Sequence, residues 1–189
     1  MNTVKTFSLI PFERLPEPTK LSITGSLTRT GDLLSITYIL TGALAQVQLP
    51  SLNVSSERTN YLWEKTCLEF FLTANHPKQN QDPYWEFNLS PTGNWNVFAL
   101  ESYRQGLKEE TAFTALPFTL QKNKTRQKPT EGLQLDISMD LGTLLPASSS
   151  WTLGISAIIL LTDGTETFWA LSPAAPPPPQ KNNTNKQKK

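Results

Sequence analysis

Two carboxylates, an amide and a hydroxyl fall on alternate positions of two neighbouring segments. Glu69 lies within Cys67-Leu68-Glu69-Phe70-Phe71-Leu72-Thr73. Glu86, Asn88 and Ser90 lie within Tyr84-Trp85-Glu86-Phe87-Asn88-Leu89-Ser90. A period of two sets Tyr84, Glu86, Asn88 and Ser90 on one face of a strand and Trp85, Phe87 and Leu89 on the other. Carboxylates accept and amides both donate and accept, so such a row suits the vicinal hydroxyls of a sugar. A solvated or internally hydrogen-bonded sheet face would carry the same residues. Neighbouring strands can give Glu69 and Glu86 the roughly 5–9 Å spacing a glycosidase carboxylate pair requires, but nothing in the sequence raises the pKa of either.

Rings that could stack on the apolar face of a pyranose are Trp63, Trp95 and Tyr103, each of which could equally be core or rim packing. Trp85 and Phe87 belong to the core. The side taken by Trp95 depends on the turn Pro91-Thr92-Gly93-Asn94. A two-residue turn sets it beside Ser90 on the polar face, whereas a bulge at Gly93 reverses it. Arg58 and Arg104 could fork two bonds to a carboxylate or form surface ion pairs. Cys67 shares the polar face by parity and has no visible neighbouring base, so a buried inert thiol is expected.

These residues need strands to hold them, and the chain supplies many short ones. Residues 4–19, with Pro11, Pro16 and Pro18, read as an extended edge or lead-in. Leu21 to Arg29 and Leu34 to Leu40 alternate around Thr30-Gly31-Asp32, a hairpin signal. A short strand is expected from Ala45 to Leu49, then a polar loop over 51–62. Segments 67–73 and 84–90 pair as a hairpin, with opposite residues about 5 Å apart. Trp95 to Arg104 continues from them as a third strand.

A short strand from Ala112 to Leu120 precedes a basic loop from Gln121 to Pro129. Leu133, Leu135, Ile137 and Met139 alternate inward. Asp140 caps a possible single helical turn. Trp151 to Leu161 and Thr167 to Ser172 form a hairpin around Asp163-Gly164. Regularly spaced strands without a long helical period indicate an all-β sandwich. Residues 1–172 read as one domain. From Pro173 to Lys189 the chain turns to Pro, Lys and amides, a disordered tail.

Composition narrows the partners. The formal net charge is +1, which gives nucleic acid binding no support. Cys67 and His76 are the only residues of their types, which excludes an internal disulfide, a cysteine-based structural zinc and a His-His metal pair. No apolar run approaches the roughly 18–20 residues of a membrane span, and the N-terminus lacks a signal peptide pattern. The expected location is the cytosol. No cofactor is expected.

Leu62-Trp63-Glu64-Lys65-Thr66-Cys67-Leu68-Glu69-Phe70-Phe71, then Tyr84 to Trp95, then Tyr103-Arg104, resemble the DOMON-like proteins related to carbohydrate-binding module family 9. The likeness is to a bacterial subgroup of short, cytosolic-looking chains. It extends weakly to Trp169-Ala170-Leu171-Ser172. It implies an immunoglobulin-like or jelly-roll sandwich of roughly ten antiparallel strands.

Modules of the wider superfamily bind sugars or haem, so His76 and Met139 are conceivable haem ligands. Met139, however, is in phase with a core strand. Relatives continue past the Trp-Ala-Leu segment with another strand, whereas Ser172-Pro173 here opens the tail. A lost last strand would leave a sheet edge open to a partner. The function expected is a non-catalytic module binding a sugar or sugar-like small molecule through Glu69, Glu86, Asn88, Ser90, Trp63, Trp95, Tyr103 and Arg104. The alternatives are an edge-mediated interaction module or a glycosidase.

Overall fold

A computed structural model of the protein describes residues 4–17, 19–49, 56–74, 82–125, 128–145 and 149–171, with the side chains of 123–131 left aside. His76, the conceivable haem ligand, Ser172 and the tail from Pro173 to Lys189 lie outside the described residues. Eleven antiparallel strands are present: β1 Val4–Pro11, β2 Leu21–Thr30, β3 Leu33–Gly42, β4 Cys67–Ala74, β5 Tyr84–Leu89, β6 Trp95–Leu100, β7 Lys108–Glu109, β8 Phe118–Thr125, β9 Lys128–Asp140, β10 Trp151–Leu160 and β11 Glu166–Ala170. Their order is β7-β6-β5-β4-β10-β11-β1-β2-β3-β9-β8, a curled sheet whose two halves face each other across one core.

Alternation builds that core. Ile23, Leu34, Ile36, Tyr38, Leu40, Leu133, Leu135 and Ile137 come from one half. Leu68, Phe70, Leu72, Phe87, Leu89, Val97, Ile155 and Ile159 come from the other. Phe70 and Phe87 stack with centroids 4.2 Å apart. The Tyr38 hydroxyl crosses the core and donates to the Glu69 carbonyl at 2.8 Å, satisfying a buried polar group. Met139 is a core residue and is 6% exposed, as its phase in β9 indicated.

Several expectations change; the strand expected from Trp95 to Arg104 ends at Leu100, and that expected from Ala112 begins at Phe118. The proline-rich N-terminal strand is not an edge. Val4 to Leu9 pair with β2, then Ile10 and Pro11 pair with β11, so β1 joins the two halves. Pro11 is tolerated because it ends the strand. The chain's last described strand, β11, therefore lies between β10 and β1, and the edges of the sheet are β7 and β8. The segment expected as a strand from Ala45 is a 3-10 turn over Leu44–Gln46, with one bridge from Val47 to Leu161. The basic stretch after Gln121 continues β8 and opens β9 instead of forming a separate loop, and β8 is the free edge of its half.

Gly25 shows how closely the inner face is packed. A Cβ there would lie 2.0 Å from the Thr37 carbonyl oxygen and 2.4 Å from the Phe7 ring. Phe7 fills that space and meets Tyr38 edge-on at 5.6 Å.

Candidate functional site

The hairpin of β4 and β5 has the pairs Leu68↔Leu89, Glu69↔Asn88, Phe70↔Phe87 and Phe71↔Glu86, and β6 adds Asn88↔Asn96 and Glu86↔Phe98. On the outer face this gives two neighbouring cross-strand rows. One runs Ser156, Glu69, Asn88, Asn96. The other runs Gly154, Phe71, Glu86, Phe98. Parity thus brings Glu69, Glu86 and Asn88 together on the face opposite the core.

The first of these rows is covered, whereas Gly154, Phe71 and Glu86 of the second are only half-buried. Asn88 and Asn96 are fully buried and Glu69 is 5% exposed, while Glu86 is half-buried. The Asn88 amide donates to Glu86 Oε1 at 3.0 Å, and the Ser156 hydroxyl donates to Glu69 Oε2 at 2.8 Å. Cys67 Sγ approaches Asn88 Oδ1 at 3.6 Å. Burial first, then the Glu69 charge, pushes the Cys67 thiol well above its ordinary pKa, so the thiol stays protonated and inert.

The cover comes from residues 56–66. Its anchor is Arg58, which lies along the edge of β6 in a parallel bridge with Trp95. The Arg58 guanidinium donates to Asn96 Oδ1 at 2.7 Å, to the Glu110 carbonyl at 3.0 Å and to the Phe113 carbonyl at 2.5 Å. It also lies 4.4 Å from the centroid of the Trp95 ring. Arg58 is thus neither a ligand clamp nor a surface ion pair; it fastens two loops to the sheet. From this anchor the chain turns through Tyr61 into a 3-10 turn, Leu62–Glu64, that sets Trp63 against Phe98 with centroids 5.5 Å apart.

Trp95 does not belong to the outer face. The loop spans residues 91–93. Ser90 N–H donates to the Asn94 carbonyl at 2.8 Å, Gly93 N–H donates to the Ser90 carbonyl at 3.0 Å, and Gly93 has φ +101°. This is the three-residue, bulged form of hairpin. It pairs Trp95 with Leu89, turning the ring into the core at 2% exposure. Ser90 is also buried and bonds within its own turn, accepting from Thr92 N–H at 3.2 Å. Trp95 and Ser90, both expected at the site, are therefore held by the fold.

At the other end of the face stand Tyr84, Tyr103 and Arg104. The Tyr84 ring is 6.1 Å from Phe71, and its hydroxyl accepts the Arg104 backbone N–H at 3.3 Å. Burial raises the Tyr84 pKa, opposed by that N–H, and the Glu86 charge adds to the rise. The Arg104 guanidinium lies over the exposed Tyr103 ring at 4.7 Å. Phe71, Tyr84 and Phe98 complete the surroundings of Glu86, and Tyr61 meets Trp63 beside Phe98. Phe71 and Tyr84 were legible by parity with Glu86; the side of Phe98 follows only from the Gly93 turn, and Tyr61 carried no signal beyond being an aromatic residue in a polar loop.

Elsewhere, a shallow groove of about 450 Å³ lies on the outer face of the other half, beside Ser35, Thr37, Thr119, Asp136 and Ser138. Its polar groups satisfy one another. Thr37 donates to Asp136 at 2.6 Å, and Ser35 and Ser138 share a hydrogen bond of 2.8 Å. The groove is open and lacks the paired aromatic flanks found around Glu86, which weighs more here than volume. Among the described residues, no group of three or more His, Cys, Asp or Glu could hold a metal ion, and no helix is long and apolar enough to cross a membrane.

No family model matches the sequence, and no curated protein matches it. The chain is similar in structure to a "putative carbohydrate-binding protein" from Bacteroides uniformis ATCC 8492. The TM-score is 0.58 at 13% identity, covering 91% of this chain and 80% of that one. At that identity the likeness is one of fold.

Proposed function

We propose that the protein is a non-catalytic carbohydrate-binding β-sandwich whose ligand lies on the outer face of β4, β5 and β6, over Glu86. The observation that carries this reading is the setting of Glu86. It is a half-buried carboxylate in one row with Phe71 and Phe98, it accepts from Asn88, and it is flanked by Trp63 at one end and Tyr84 and Tyr103 at the other. A carboxylate already oriented by an amide accepts sugar hydroxyls without reordering, and the flanking rings bury C–H faces. The nearby Glu69 carboxylate disfavours an anionic ligand, so the class is neutral sugars. The name borne by the Bacteroides uniformis protein supports the reading, as does the resemblance to DOMON-like modules in the same segments.

Binding without turnover agrees with the hydrogen bonding. Glu69 is 5% exposed and accepts from Ser156, and Glu86 accepts from Asn88, so both carboxylates serve the fold's own donors. The test is calorimetric titration with a panel of neutral gluco-, manno-, xylo- and chito-oligosaccharides. Binding should weaken by about tenfold or more in Glu86→Gln, since a bond to a charged acceptor is worth ~1.5–3 kcal/mol. Absence of binding across the panel would refute the proposal.

A further inference from the structure

Tyr61 and Arg104 are the two non-glycine residues with positive φ among the described residues, both at +61°. Left-handed backbone is costly for residues with a Cβ, and such strain persists where the surroundings demand it. Both residues sit at the ends of the same sheet face. Tyr61 precedes Trp63, whose ring it meets edge-on at 5.6 Å. Arg104 follows Tyr103 and directs its N–H to Tyr84. Neither position has a glycine, although a glycine would remove the strain.

We infer that Tyr61 is the stacking residue of this face, and that its left-handed backbone is retained because it swings the ring out beside Trp63. The inference rests on the sugar-binding reading above and adds to it the residue that meets the ligand. Two facts favour this over a packing role. Tyr61 is 63% exposed, so its ring adds little to the core. Its edge-on contact with Trp63, which packs on Phe98, the cross-strand partner of Glu86, also links the ring to the row that carries Glu86. A fold that needed only the turn into Leu62–Glu64 would be served as well by glycine.

Tyr61→Gly separates the two roles, because it relieves the backbone and removes the ring together. Wild type, Tyr61→Gly, Tyr61→Phe and Glu86→Gln are each titrated with the same neutral oligosaccharide panel and melted thermally. The expected result is a Tyr61→Gly protein that melts at or above the wild-type temperature yet binds about tenfold more weakly, with binding recovered in Tyr61→Phe. If Tyr61→Gly binds like wild type while Glu86→Gln does not, the role of Tyr61 is overturned and the Glu86 site stands. A marked fall in the melting temperature of Tyr61→Gly would make the ring a fold element and overturn the inference. A wild-type protein that binds nothing in the panel overturns both.

Discussion

Removing the Arg58 side chain tests how the cover over the polar face is held. The guanidinium makes three short hydrogen bonds, at 2.7, 3.0 and 2.5 Å, with a fourth, long one to the Val97 carbonyl at 3.5 Å, and lies 4.4 Å from the Trp95 ring centroid. A charge-assisted bond is worth roughly 1.5 kcal/mol net at the low end of its range, which suits a half-buried donor, and the ring contact roughly 1 kcal/mol. Releasing the long side chain returns about 1.5–2 kcal/mol of entropy. Arg58→Ala should therefore cost about 3–4 kcal/mol. For a chain of this size that is a fall of roughly 6–16 °C in Tm.

Arg58→Lys keeps the charge but loses the planar fork, and it should lose about half as much. Thermal melts followed by far-ultraviolet circular dichroism give the stability. Tryptophan emission reports whether Trp63 is released. Because the segment also carries Trp63, any sugar binding should fall even below the melting transition. An Arg58→Ala protein melting within about 2 °C of wild type would refute this account of the anchor.

Two further perturbations follow from the core. Gly25→Ala places a Cβ against the Thr37 carbonyl oxygen and the Phe7 ring, neither of which can withdraw without breaking the β2–β3 pairing or the Phe7–Tyr38 contact. It should cost about 3 kcal/mol, read as a lower urea midpoint, and an unchanged midpoint would contradict the packing described. Cys67 predicts a pH dependence. Its thiol pKa is raised in the folded state, so its contribution is complete below the ordinary value of about 8.5 and is lost as pH climbs beyond it, where only the unfolded chain ionises. Stability should fall above about pH 8.5, and Cys67→Ala should flatten that fall; parallel slopes for the two proteins would count against it.

Much of the sheet was legible because period-two alternation is a local property. Leu68, Phe70 and Leu72 on one strand, and Phe87 and Leu89 on the next, had to share a buried face. Glu69, Glu86 and Asn88 were therefore bound to share the other, whatever the rest of the chain did. The sequence alone thus determined the all-β class and the membership of the polar row.

Tertiary structure decided everything that depended on a single extra residue or on distant chain. Trp95 went inward because Gly93 adopts positive φ and lengthens the turn to three residues, which reverses parity. The N-terminal strand closed the sheet against β11, a pairing between segments about as far apart as the chain allows. Whether the polar row faces solvent was set by residues 56–66, folded back by Arg58 through bonds to carbonyls more than fifty residues away. Alternation specifies which side of a strand a residue takes, but it carries no information about what is laid over that side. Burial of Glu69 and Asn88, and the exposure of Tyr61, come from that second layer.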